Sequence, residues 1–96
     1  MMGESLRQTV VIANPHGFHM RPMAAFVEAA NRFPCTVTVL RAGKEPVNGK
    51  SMFALMGLVA TEGTELVIEV TGPKAAEALQ AIVMVFQRNF DDEQEA

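Results

Sequence analysis

Two histidines and an arginine stand within six residues, in "HGFHMRP" at positions 16–22, directly ahead of an apolar stretch with helical spacing. A neutral imidazole offers a nucleophilic ring nitrogen, and a guanidinium offers planar paired donors that match phosphate oxygens. At a helix start both face backbone N–H groups that lack acceptors within the helix, and that end carries positive partial charge. Cations crowded there make sense if the end receives a negatively charged group. Pro22 suits the first turn of the helix, which puts Met20 and Arg21 at its boundary and His19 just outside. Gly17 allows the backbone turn that brings the chain in. Only a neutral ring has the lone pair needed for attack. Once phosphorylated, the same surroundings would stabilise the added charge. A histidine near a helix start is by itself more often a plain surface residue, so its neighbours carry the case. His16 has three openings: capping the helix, steering phosphate, or ligating metal with His19. Two histidines three apart without a third ligand make a poor metal site, and no metal or cofactor is expected.

A second stretch, "NGKSMFALMGL", begins with an Asn48-Gly49 turn and places Ser51 as the N-cap of a following helix. Met52, Phe53, Leu55, Met56 and Leu58 are too many large apolar residues for a short helix to bury on one face. Met52, Phe53 and Met56 are therefore expected to form an exposed docking patch, because methionine adapts to varied partner surfaces. Phosphate on Ser51 would put negative charge at a helix N-terminus, compatible with the fold yet disruptive to an apolar interface.

The elements that must position these groups follow from hydrophobic period. "LRQTVVIAN" (6–14) reads as a strand. Residues 20–33 place Met23, Phe26, Val27, Ala30 and Phe33 on one stripe of a helix about 20 Å long, stopped by Pro34. "CTVTVLRAG" and the proline-bearing "EPVN" read as a hairpin whose second arm is an edge strand. "SMFALMGLVA" (51–60) is a short helix, "TEGTE" a turn and "LVIEVTG" a strand. Pro73 fits the first turn of a last helix, in which Ala75, Leu79, Ile82, Val83, Phe86 and Phe90 share one side. The order β-α-β-β-α-β-α packs most economically as an α+β two-layer arrangement, a four-stranded, mainly antiparallel sheet covered on one face by three helices.

Ninety-six residues, 49% of them hydrophobic and 20% charged, make a single globular domain over 1–96, with an ordered core of about 6–90. The acidic tail 91–96, "DDEQEA", reads as a solvated end. With net charge −3, nucleic acid is not an expected partner. The single cysteine, Cys35, suits a reducing compartment, and the start lacks the apolar core of a signal peptide. No run approaches the roughly 18 apolar residues of a membrane span, so a cytoplasmic location without membrane insertion is expected.

"GFHMRPMAAFVEAA" (17–30) together with "NGKSMFALMGLVATEGTELVIEV" (48–70) resembles HPr, the histidine-containing phosphocarrier family of the bacterial phosphoenolpyruvate-dependent sugar phosphotransferase system, over about 6–90. The resemblance implies an open-faced β-sandwich in which His19 is phosphorylated on Nδ1 and Arg21 contacts the phosphate. It implies that Enzyme I donates the phosphoryl group and that IIA domains accept it, and that Ser51 is the serine an ATP-dependent HPr kinase phosphorylates in some members. His16, Gly17 and Met20 would support the phosphate site. Such a protein is a reactant in transfer chemistry rather than a complete enzyme, and one that presents a single face to successive partners is expected to be a monomer. The alternative from the same resemblance is a regulatory binding module in carbon or nitrogen control, working through Ser51 and the Met52, Phe53 and Met56 patch. Four features depart from the family's usual pattern: His16 where a small polar cap is common, bulky Met20 and Met23 beside the histidine, Val59 where glycine is frequent, and a hairpin one residue longer.

Overall fold

Leu66, Ile68 and Val70 are buried while Glu65, Val67 and Glu69, alternating with them, are not, the two-residue period of a strand with one face on a core. Val37 and Val39 repeat the pattern one strand away. In a computed structural model, which describes residues 4–95 and the side chains of 5–88, the elements are β1 (Glu4–Val11), α1 (Met20–Asn31), β2 (Thr36–Leu40), β3 (Val47–Asn48), α2 (Met52–Met56), β4 (Glu65–Gly72) and α3 (Ala75–Glu95). The strands form one sheet in the order β1-β4-β2-β3, and every neighbouring pair is antiparallel. Registers of Leu6 with Val70 and of Val37 with Val70 align the branched side chains across the centre.

The helices cover one face, as an open-faced sandwich. From α1, Pro22, Met23, Phe26, Ala29 and Ala30 are buried; from α3, Ala75, Ala78, Ile82 and Phe86. Phe18, just ahead of α1, joins them: its ring centroid lies 5.9 Å from that of Phe26 and 5.5 Å from that of Phe86, and Phe26 and Phe86 are 5.9 Å apart. Three aromatic rings from three segments thus lock together at the helix layer.

The element order agrees with the sequence pattern, and the ends differ for local reasons. The first helix stops at Asn31 rather than at residue 33. Phe33 precedes Pro34, which disfavours helical backbone, and Arg32 and Phe33 close tighter bonds to Ala29 and Ala30. The stretch 51–60 forms only the five residues of α2: Gly57 N–H turns back to Ala54, and Val59 at φ 50 leaves the helical region. Only Val47 and Asn48 of "EPVN" pair with β2, Pro46 having no amide to donate. Pro73 lies ahead of α3 rather than in its first turn, since Gly72 (φ 116) and Lys74 (φ 62) turn the chain before Ala75. α3 then runs to Glu95 and takes in most of the acidic stretch; Phe90 lies outside the described side chains. No helix among the described residues is long and apolar enough to cross a membrane.

Candidate functional site

The loop before α1 is built by main-chain bonds. At its start Ile12 N–H donates to Thr64 O (2.9 Å) and Gly63 N–H to Ile12 O (2.7 Å). Asn14 is buried; its Oδ1 accepts the His16 N–H at 2.7 Å, and its carbonyl accepts the Gly17 N–H at 2.9 Å. That double closure is a side-chain-mimicked turn, which asparagine favours ahead of a proline. Gly17 has φ +75, and a Cβ there would come within 2.7 Å of Ala60 O, so glycine meets both the backbone conformation and the close approach. Phe18 N–H then donates to Ala60 O at 2.9 Å while its ring enters the core. By the time the chain reaches His19, a carbonyl of a distant segment and two core rings fix its direction.

His19 is the N-cap residue of α1, with extended backbone (φ −100, ψ −166), and its carbonyl accepts the Met23 N–H at 3.0 Å. Its side chain makes no cap bond. The first-turn amides of Met20 and Arg21 have no acceptor within the helix, and no acidic residue stands in that turn to neutralise them. The imidazole is half-buried, and its Nδ1 lies 3.1 Å from Gly17 O. A carbonyl only accepts, so Nδ1 carries the proton in this contact, and the lone pair of a neutral ring is then on Nε2. The Gly17 carbonyl also accepts the His19 backbone N–H at 3.1 Å.

His16 and Gly17 lie in the loop before α1, His19 is its N-cap, and Met20 and Arg21 are its first two residues. His16 is exposed, its ring centroid 5.7 Å from that of His19 with the planes at 60°. It does not cap the helix, the position His19 occupies. Among the described residues no group of three or more histidines, cysteines or carboxylates could hold a metal. Arg21 and Met20 are exposed, Met20 at 61%.

Ser51 caps α2 as its position suggests, Oγ accepting the Ala54 N–H at 3.1 Å. Beyond it the apolar residues divide: Leu55 and Leu58 are buried, while Phe53 (86% exposed) and Met56 face outward. Met52 corrects the expected patch, because it is half-buried and packs against the core. Sequence reasoning missed Asn14, Phe18 and Ala60. The Asn-Pro-His-Gly run signals the Asn14 turn; a main-chain acceptor such as Ala60 O leaves no mark in residue type.

A family model described as the PTS HPr component phosphorylation site matches residues 6–88. The phosphocarrier protein HPr of Pseudomonas aeruginosa is 41% identical over 83 residues, covering 86% of this chain and 92% of its own. The phosphocarrier protein NPr of Escherichia coli is 32% identical over 89 residues, covering 93% and 99%. Among solved structures, HPr-C-His from Thermoanaerobacter tengcongensis superposes with a TM-score of 0.82 at 31% identity, over 90% of this chain and 96% of that one.

Proposed function

We propose, from the premise that the chain belongs to the HPr family of phosphocarriers, that His19 takes a phosphoryl group from phosphorylated Enzyme I and passes it to IIA domains. The observation that carries the proposal is a half-buried imidazole standing as N-cap of a 12-residue helix whose first-turn amides have no intrahelical partner. Those amides and the Arg21 guanidinium receive the phosphate oxygens, and His16, across a 5.7 Å ring separation, adds a further donor on the solvent side.

The step begins from the resting contact of Nδ1 with Gly17 O. The proton leaves Nδ1, solvent delivers one to Nε2, and the ring turns off the carbonyl. The freed Nδ1 lone pair then forms a P–N bond as the P–N bond to the donor imidazole breaks, and that electron pair stays on the donor ring. Return transfer to an acceptor histidine runs the same way. The protein acts in the cytoplasm as a monomer, with Met20, Phe53 and Met56 meeting its partners. Ser51 is a second, regulatory site for an ATP-dependent HPr kinase: phosphate at the α2 cap adds charge beside exposed Phe53 without displacing a core residue.

Incubation with phosphoenolpyruvate and Enzyme I should give an acid-labile mass gain that is absent in His19→Ala. A gain that persists in His19→Ala, or none in the native protein, refutes the relay. Incubation with ATP and an HPr kinase should give an acid-stable gain lost in Ser51→Ala.

A further inference from the structure

We infer that Arg41, which follows β2, is a positioning residue for the chemistry at His19 and acts through the turn at Val59. The inference rests on the assignment of His19 as the phosphoryl carrier. The Arg41 guanidinium donates through one nitrogen to two successive carbonyls, those of Leu58 and of Val59, the second at 2.8 Å. Between those carbonyls and the next residue the backbone is strained: Val59 sits at φ 50, a left-handed conformation that a β-branched residue strongly disfavours. The Val59 side chain is 63% exposed, so core packing does not hold it there. What the structure supplies instead is a charge-assisted clamp on the carbonyls either side of the Val59 nitrogen and Cα.

The clamped turn leads directly into the site. Ala60, the next residue, accepts the Phe18 N–H at 2.9 Å, and its carbonyl oxygen is the atom that a Cβ on Gly17 would meet at 2.7 Å. Gly17 O in turn holds Nδ1 of His19 at 3.1 Å. An unbroken series of contacts therefore runs from guanidinium to strained turn, to the Ala60 carbonyl, to the Gly17–Phe18 segment, to the reacting ring. Without the clamp Val59 relaxes toward an ordinary backbone conformation, the Ala60 carbonyl is redirected, the Gly17–Phe18 segment shifts, and the imidazole loses both its resting contact and its place at the first-turn amides of α1. A glycine at 59 would hold the same φ without strain and would make the clamp dispensable.

The test uses four proteins: native, Arg41→Met, Val59→Gly and the double variant. Two readouts need no phosphate donor: the ¹⁵N signals of the His19 ring, which report whether Nδ1 carries the proton, and hydrogen exchange of the Phe18 amide. The third is the split of kcat against KM for phosphorylation by Enzyme I. Arg41→Met is expected to lose the Nδ1–H signature, to exchange the Phe18 amide about tenfold faster, and to lower kcat about tenfold with KM little changed. The double variant is expected to return all three toward the native values, which loss of packing alone would not do. Native behaviour in Arg41→Met, or a double variant as impaired as Arg41→Met, overturns the inference. Should Arg41→Met not fold, Val59→Gly is compared with the double variant: equal ring signals support the linkage and a shifted tautomer overturns it. If the native protein accepts no phosphoryl group, the carrier assignment of His19 fails, while the ring and amide signals still decide the linkage.

Discussion

Replacing Gly17 with alanine tests whether the loop at His19 is held by its contact with residue 60. Two penalties are readable from the geometry. At φ +75 an L-residue loses about 1 to 2 kcal/mol relative to glycine. The new Cβ would also stand 2.7 Å from Ala60 O and 3.1 Å from Thr61 Cα, both backbone atoms that cannot swing aside, so the loop must lift and the Phe18–Ala60 hydrogen bond stretches or breaks. That bond adds about 1 kcal/mol. The sum is about 2 to 3 kcal/mol, which lowers Tm by roughly 10 to 20 °C in a domain of this size. Gly43 supplies the control: it has φ +82 but nothing within 4 Å of its would-be Cβ, so Gly43→Ala bears the conformational part alone. Thermal unfolding of both variants isolates the contact as their difference, and Enzyme I-dependent phosphorylation is expected to fall about tenfold or more in Gly17→Ala only. Equal Tm shifts in the two variants, with equal phosphorylation rates, would refute the idea that residue 60 sets the position of the loop.

Gly49→Ala should destabilise by about 1 to 3 kcal/mol in urea unfolding, because its Cβ would lie 2.6 Å from Val37 Cγ1 and 3.0 Å from Phe26 Cε1; a neutral result would mean the core there yields easily. Ser51→Ala removes the side-chain acceptor of the Ala54 N–H at the α2 cap and should cost about 1 kcal/mol by the same measurement. Arg7→Ala breaks the 3.0 Å pair with Glu69, but with Arg7 63% exposed the loss should be about 0.5 kcal/mol or less and should vanish in high salt.

Much of this architecture is legible because it rests on period. The alternation through Leu66, Ile68 and Val70, and the stripe through Met23, Phe26 and Ala30, are consequences of burial that residue type records directly. The local part of the site is legible for a similar reason: His19, Arg21, Pro22 and Gly17 are neighbours in sequence, and a helix start needs no distant information. Illegible are features set by long-range main-chain contacts. Ala60 matters through its carbonyl, which every residue has. Val59 is a β-branched residue in a left-handed conformation, against its own preference, so its type argues for a different backbone. The side of α3 that is buried shifted from the expected one, with Ala78 inside and Leu79 and Val83 only partly covered, because small residues permit the close approach that size-based patterns overlook. Phe18 was hidden by its neighbours: set between two chemically conspicuous residues, it contributes nothing reactive, yet its ring ties the loop to the core.

That anchor has a consequence for how such a molecule can diversify. With Phe18, the residue beside His19, wedged between rings from the first and last helices, the loop has little freedom to drift without prising apart the centre of the protein. A new partner is therefore met more easily by exchanging outward-facing side chains than by moving the His19 ring.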